Sequence, residues 1–502
     1  MTLPKLKIVQ TEKISAEAVI VLRVVKNDSM VQLTKTRFSS DIFPESAFAT
    51  DFSSIGASTD AQTVTTTIIT DSNGASRTVA LLGANTKLSA YASFREGYRE
   101  LGGGVSRQLG NHKSLIVDLE ISDIGDLTNF TEGLLLGAHE PQSLKTSRSK
   151  FKLTSITLIS DLQLPKQSIQ RATILAKAVH ATRDLTNLPA NLLHPSDLAK
   201  VAVAAAAPLE AISVEVLDEK KLKAQRFGGI LAVGAGADHG PRLVHLSYRP
   251  KGAKKHLALV GKGITFDTGG LSLKPAGSML GMKYDMTGSA VVLQSIIAIA
   301  NLGIKLNVDA WMCLAENMPS GSATRPNDVI TLRNGKTVEV INTDAEGRIV
   351  LADGLSVASE SKPDLIIDVA TLTGAVTVAL GDRTAGLLGN ALAVNIVEEA
   401  AVSAGEPVWV LPMPVELKAS LSSDIADQAN AKYGASGGTI LGAWFLSEFV
   451  GDDASGNPIP WAHLDIAGAA NNESAAYGFT PKGGTGSTVR TIVTVAESMS
   501  SN

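Results

Sequence analysis

The segment Asn342-Thr343-Asp344-Ala345-Glu346-Gly347-Arg348 packs two carboxylates and a guanidinium into five residues. In an extended backbone, alternate side chains share a face. Asp344, Glu346 and Arg348 would then point the same way. Carboxylates held that close repel unless a cation lies between them, and hard divalent ions take oxygen ligands of this kind. The same residues also have a plain structural reading. Thr343-Asp344-Ala345-Glu346 matches a capping box, and the apolar run Ile349–Ala358 is the helix it would start.

A second dense stretch runs from His256 to Gly270. An apolar strand leads into Gly261-Lys262-Gly263, which puts Lys262 near the carboxyl end of a strand, where open α/β sheets build their sites. Asp267 follows among glycines that allow sharp turns. Lys274 comes next, in Ser272-Leu273-Lys274-Pro275. Asp285 stands just before an apolar helix, Ser289–Ala300, where the helix dipole alone would favour an acid. Lys262 is not a phosphate-loop lysine, because the preceding glycine spacing is wrong and no Ser or Thr follows it. The pair Gly234–Gly236 lacks a third glycine and a suitably placed acid, so it reads as a tight turn rather than a dinucleotide loop.

These residues need a sizeable scaffold, and the chain supplies one. It has 502 residues, 44% of them hydrophobic and only 4% aromatic, so its cores must be built from Ala, Val, Leu and Ile. A net charge of −4 gives no electrostatic reason to expect nucleic acid or an anionic membrane as a partner. The single cysteine, Cys313, lies in an apolar stretch and reads as buried filler, consistent with a reducing compartment. Met1–Lys13 has no signal-peptide core, and no window holds about 18 uninterrupted apolar residues. The expectation is a cytoplasmic protein.

Strand and helix patterns alternate along the chain, which predicts an α/β fold. Strands are expected at Ala18–Val25, Thr78–Leu82, Ser114–Leu119 and Ser155–Ile159, a helix at Ala90–Leu101, and a loop or irregular hairpin over Asp51–Gly74. His112 and His139 stand isolated in sequence. Ile169–Arg183 reads as a helix, and Ser196 as the cap of a further helix, Asp197–Ala207. Val214–Val216 and Arg242–Tyr248 read as strands. The expected division is 1–165, an N-terminal α/β domain; 166–190, a connecting helix and linker; and 191–502, the domain that carries the chemistry.

The quoted motifs resemble those of the leucyl (cytosol) aminopeptidases. Asn342–Arg348 is similar to that family's signature and Gly261–Lys274 to its metal-binding loop. The likeness continues through Glu316-Asn317-Met318-Pro319, Ala370-Thr371-Leu372-Thr373-Gly374-Ala375 and Pro460–Gly468, covering roughly residues 170 to 495. Thr268 and Thr287 depart from the family pattern without touching a ligand position. The resemblance implies a small N-terminal α/β domain followed by a large α/β/α catalytic domain with a mainly parallel central sheet. It implies a two-metal site of Lys262, Asp267, Asp285, Asp344 and Glu346, with manganese or zinc as the leading candidates. Asp267 and Glu346 would be shared between the ions. Lys274 and Arg348 would be the catalytic pair, with bicarbonate at Arg348 as base, and Met282, Thr371, Leu372 and Gly374 would line the substrate. The implied activity removes N-terminal leucine or other large apolar residues from peptides with a free N-terminus, in a homo-hexamer.

The residue chemistry agrees. Four carboxylates match the charge of two divalent cations, which can share and acidify a water about 3.5–4 Å apart. A charged Lys274 would stabilise an oxyanion. The eight histidines are scattered and none forms His-Glu-x-x-His, which argues against the commoner zinc-protease design. Another two-metal hydrolase, such as a phosphoesterase, would want more basic groups. A DNA-binding scaffold finds no support in the charge.

Overall fold

The structure is a computed structural model that describes residues 3–84, 96–147 and 151–501. The chain forms two compact units, Met1–His180 with Ser474–Pro481, and Ala181–Glu473 with Lys482–Asn502.

In the first unit, a sheet of seven described strands has the order Lys5–Val9, Ser155–Ile159, Ser114–Asp118, Ala18–Asn27, Ser76–Gly83, Val64–Thr70, with Met30–Leu33 pairing off Ala18–Asn27. The run Ala18–Leu22 is apolar at every position because both its faces are covered. Val19 and Val21 pack with Leu101, Val105 and Phe130, while Ile20 and Leu22 pack with Phe38, Phe43 and Phe52. All four expected strands are present. The stretch expected as a loop or irregular hairpin contains the strand Val64–Thr70, which pairs antiparallel with Ser76–Gly83. Of the helix expected at Ala90–Leu101, residues 90–95 lie outside the described residues, and the described helix is Glu96–Gln108. His139 is not isolated: its ring lies 4.7 Å from that of His180.

The second unit is built on eight strands in the order Val408–Val410, Ala385–Gly389, Trp461–Asp465, Leu365–Ala370, His256–Asp267, Asn307–Asn317, Arg242–Tyr248, Ile212–Leu217. The four central strands, from Trp461–Asp465 to Asn307–Asn317, are mutually parallel, and both flanks join them antiparallel. The helices Thr287–Leu302, Ala391–Ala404 and Val489–Ser501 pack together on this sheet, and so do Gly228–Gly234, Gly347–Glu360 and Gly438–Ser447. The result is the mixed α/β arrangement expected from the alternation. Covered on both faces, the central strands are buried almost throughout and mostly apolar, with Lys262, Asp309 and Asp368 among the polar exceptions. Cys313 is buried among them, and burial pushes its thiol well above the ordinary range.

Met282–Leu302 is long and apolar enough to cross a membrane by composition, with mean hydropathy 1.3. Most of it is buried inside the protein, as in a core helix. The next helix boundary expected from sequence shifts: Pro195–Ala206 starts one residue before Ser196, with Pro195 in its first turn and His194 as N-cap.

Asp353 ties two segments to the helix Gly347–Glu360. Fully buried, it accepts hydrogen bonds from the amides of Ile230 (2.9 Å) and Arg333 (2.8 Å). Burial raises its carboxyl to about 7, against the opposing pull of those amides. The unfolded chain, whose Asp pKa is about 3.9, loses its proton first, so stability falls as pH rises from about 4 to 7. Thermal melting should therefore show a larger drop between pH 5 and pH 8 in the wild type than in Asp353→Asn. Asp353→Ala, which leaves two buried donors unpaired, should cost about 2–5 kcal/mol at pH 5.

Candidate metal centre

The centre forms where loops leave the carboxyl ends of the central strands. The strand His256–Asp267 runs parallel to Asn307–Asn317, but the register shifts between Ile264 and Phe266. Thr265 is the extra residue, and such bulges re-aim the strand end. Lys262 lies on this strand and Asp267 is its last residue; both are buried. The chain then turns through Gly269 and Gly270, both left-handed at φ +86° and +66°. A Cβ on Gly269 would also lie 2.8 Å from Asp344 Oδ1, so only glycine lets this turn close on the centre. Asp285 is carried by the short 3-10 helix Met282–Met286.

Asn342–Arg348 is neither an extended strand nor a capping box. It is a turn running into the helix Gly347–Glu360, whose N-cap is Glu346 in helical geometry. The Thr343 hydroxyl cannot cap this helix, because it donates to Gly269 O (2.6 Å) and accepts from Ser272 N (2.8 Å). The turn nevertheless converges Asp344 and Glu346. Oxygens of Asp267, Asp344 and Glu346 lie within 4.8 Å of one another.

Two ammonium groups thread these carboxylates. Lys262 Nζ lies 2.8 Å from Asp285 Oδ1 and 2.9 Å from Glu346 Oε1, and donates to Thr371 O (2.9 Å). Lys274 Nζ lies 2.8 Å from Asp267 Oδ2 and also pairs with Asp344. Burial drives Lys262 toward its neutral form, but Asp285, Glu346 and Asp267 outweigh it and the ammonium is stabilised. Lys274 is likewise raised against its burial, by Asp267 and Glu346. Burial raises the carboxyls of Asp285, Glu346 and Asp344 above the ordinary range despite these lysines.

The lysines leave acceptor capacity over. Asp285 Oδ2 is buried without a hydrogen bond, and Asp344 Oδ1 and Glu346 Oε1 each face a lysine nitrogen alone. Buried carboxylate oxygens without donors suit cations. The residues present therefore fit divalent ions, with Lys262, Asp267, Asp285, Asp344 and Glu346 as the donors that converge.

The remaining expected residues sit around this core. Arg348 is buried at the start of its helix; burial lowers it to about 10 against the pull of Glu346 and Asp465. It donates to Asn430 O (2.8 Å), and its Nε is buried without a partner. Met282 is half-buried at the start of the turn carrying Asp285, and Thr371, Leu372 and Gly374 follow the strand Leu365–Ala370. Thr371 does more than line a pocket, since its hydroxyl donates to Asp285 Oδ1 (2.7 Å).

Sequence reasoning missed three supports. Asn317 donates to Asp267 Oδ1 (2.8 Å) and to Thr343 O (3.0 Å), joining the two dense segments. Asn430 accepts from Ile341 N (2.8 Å) and donates to Asn342 O (2.7 Å), fixing the turn. Asp465 accepts from Leu372 N (3.1 Å) and the Thr373 hydroxyl (2.6 Å), fixing the Thr371–Gly374 loop. Asn317 and Asp465 lie within quoted motifs, which was the available signal. Asn430 had none.

A carboxylate-rich centre at the carboxyl ends of parallel strands defines a divalent-metal enzyme of the α/β class. Comparison with known proteins narrows the class. The cytosol aminopeptidase family, catalytic domain, matches residues 180–493. A probable cytosol aminopeptidase of Streptomyces avermitilis is 49% identical over 411 residues, spanning 80% of this chain and 79% of its own. Another, from Streptomyces coelicolor, is 49% identical over 422 residues, 80% of each chain. The solved structure of the bottromycin maturation enzyme BotP in complex with Mn is similar at TM-score 0.82 and 32% identity, covering 97% of this chain and 100% of that one. The chain belongs to the cytosol aminopeptidase family, and is a metal-dependent aminopeptidase acting on peptides.

Gly347 shows how tightly the centre is built. A Cβ there would lie 2.6 Å from Lys262 Cε and 2.7 Å from its Nζ. The clash is with the side chain of Lys262, which can move only by leaving its buried partners Asp285 and Glu346. Gly347→Ala should lower aminopeptidase kcat/KM more than tenfold and, because the displaced ammonium leaves buried carboxylates unpaired, also cost about 3–5 kcal/mol of stability. Wild-type turnover in this variant would show that Lys262 need not stay where it is.

Proposed function

We propose that this chain removes N-terminal leucine or other large apolar residues from peptides, using two divalent ions held by Lys262, Asp267, Asp285, Asp344 and Glu346. The observation that carries the reading is the convergence of four carboxylates on two lysines, with Asp285 Oδ2 buried and lacking a hydrogen bond. Asp267 and Glu346, central in this cluster, would be shared between the ions, with manganese or zinc preferred. When bound, such ions supply a water acidified toward neutrality and a Lewis acid for the scissile carbonyl.

The chain's own groups would do the rest. Lys274, released from part of its duty to Asp267 and Asp344, would stabilise the developing oxyanion. The buried Arg348, with Nε unpaired, would hold an anion such as bicarbonate to receive and return the proton. Thr371 and Asn317 would keep Asp285 and Asp267 oriented, as supporting groups commonly do for ligands. Met282 and Leu372 supply apolar surface for the side chain to be removed, with Thr371 and Gly374 beside them. The family resemblance further suggests a homo-hexamer and a cytoplasmic location.

A free substrate amine is central to this reading, because it is one of the groups presented to the ions. Turnover of leucyl amide should exceed that of acetyl-leucyl amide by at least about a hundredfold, since ligation and orientation are lost together. Comparable rates on the two substrates would contradict the exopeptidase geometry.

Lys262 can ligate only through a neutral amine. The three carboxylates that hold its charge would be neutralised by incoming cations, so uptake of metal should release the lysine proton. Arginine cannot release its proton in this range. After dialysis, Lys262→Arg should retain at least one metal ion fewer per chain than the wild type and lose most activity. Full metal content with wild-type turnover would remove Lys262 from the ligand set.

A further inference from the structure

The eight histidines are not all scattered in space. His194 is half-buried just before the helix Pro195–Ala206, and His239 is exposed in the turn between Gly228–Gly234 and Arg242–Tyr248. Both meet Glu316, which is buried next to the end of the strand Asn307–Asn317. One donor atom from each of the three residues lies within 4.8 Å of the others. His194 Nδ1 is 2.7 Å from Glu316 Oε1, and the two imidazoles stack with centroids 3.5 Å apart and planes 25° from parallel.

Three chain segments distant in sequence thus bring two imidazoles to one buried carboxylate. None of the three belongs to the carboxylate–lysine centre. A hydrogen-bonded His–Glu pair explains His194 and Glu316, and stacking holds His239 on His194; the stacking also brings a donor atom of His239 within 4.8 Å of donor atoms of both. Two histidines and a carboxylate are a ligand set for borderline divalent metals, zinc foremost, with a fourth position open to water. With metal bonds of about 2.0–2.2 Å in a tetrahedron, neighbouring donors stand about 3.3–3.5 Å apart. The His194–Glu316 pair, now at 2.7 Å, need open by less than an ångström. His239, on an exposed turn, can swing to complete the set.

We propose that His194, His239 and Glu316 form an accessory site for a borderline divalent metal ion of the zinc class, separate from the catalytic centre. Its position gives it a route to that centre. Glu316 is followed directly by Asn317, whose side chain holds Asp267 Oδ1 and Thr343 O. Adjacent residues of a strand face opposite ways, so an ion fixing Glu316 also fixes the backbone from which Asn317 reaches Asp267.

The test is a metal count on the full-length protein. Wild type, His239→Ala and His194→Gln are saturated with Co²⁺, dialysed, and compared by elemental analysis and visible absorption. His239 is exposed, so its removal leaves the fold intact; His194→Gln removes the imidazole but keeps a polar partner for Glu316. Wild type should retain one more Co²⁺ per chain than either variant, with a visible band that both lack and that one equivalent of Zn²⁺ abolishes. None of the residues proposed for the catalytic centre is altered, so its ions cancel in the difference. Equal cobalt counts and superimposable spectra in all three proteins would overturn the proposal, whatever the fate of the two-metal reading.

Discussion

Four carboxylates held together, three of them buried and Asp344 partly exposed, are the constraint on which this structure depends. Asp267, Asp285, Asp344 and Glu346 would repel one another in a low-dielectric interior, and burial already raises three of them toward their neutral forms. Lys262 and Lys274 offset that repulsion in part, and each is held charged in return. Two ammonium groups against four carboxylates leave two negative charges over if all four ionise. A site with that imbalance, and with Asp285 Oδ2 lacking a donor, is one that divalent cations stabilise. Metal dependence, which the family shares, is thus a consequence of how the charges are arranged.

The scaffold exists to hold these groups against their repulsion. Mostly apolar strands, covered on both faces, fix the sheet end that carries Lys262 and Asp267. The bulge at Thr265 and the left-handed glycines turn the chain back on itself within a few residues. Hydrogen bonds from Asn317, Asn430, Thr371 and Asp465 then lock loops that no apolar packing could fix at the required precision. Close packing extends to Gly288, where a Cβ would come 2.1 Å from Val369 O, so the long core helix can begin directly against the central strand.

Much of this was legible in the sequence because the reactive residues lie in two short segments, each attached to a regular element with a clear apolar pattern. The strands Ser155–Ile159 and Arg242–Tyr248 have the bounds their composition predicts. Local reading failed where distant partners override local chemistry. Thr343 has the sequence of a capping residue, but Gly269 and Ser272 take its hydroxyl. The alternation of Asp344, Glu346 and Arg348 suggested an extended face, yet a turn and a helix start bring the carboxylates together instead. Asn430 carries no signature, since its role depends on meeting a turn more than eighty residues earlier. The approach of His194 and His239 to Glu316 was hidden for the same reason: three-residue convergence across separate elements leaves no spacing to read.

The central claim is that the carboxylate–lysine cluster binds two ions that share Asp267 and Glu346. Anomalous diffraction at the manganese edge, from crystals of the active protein grown with Mn²⁺, tests it most directly. The account predicts two peaks in each chain, about 3.5–4 Å apart, both within ligand distance of Glu346 and one also beside Lys262. A single peak, or two peaks with neither at Glu346, would contradict it.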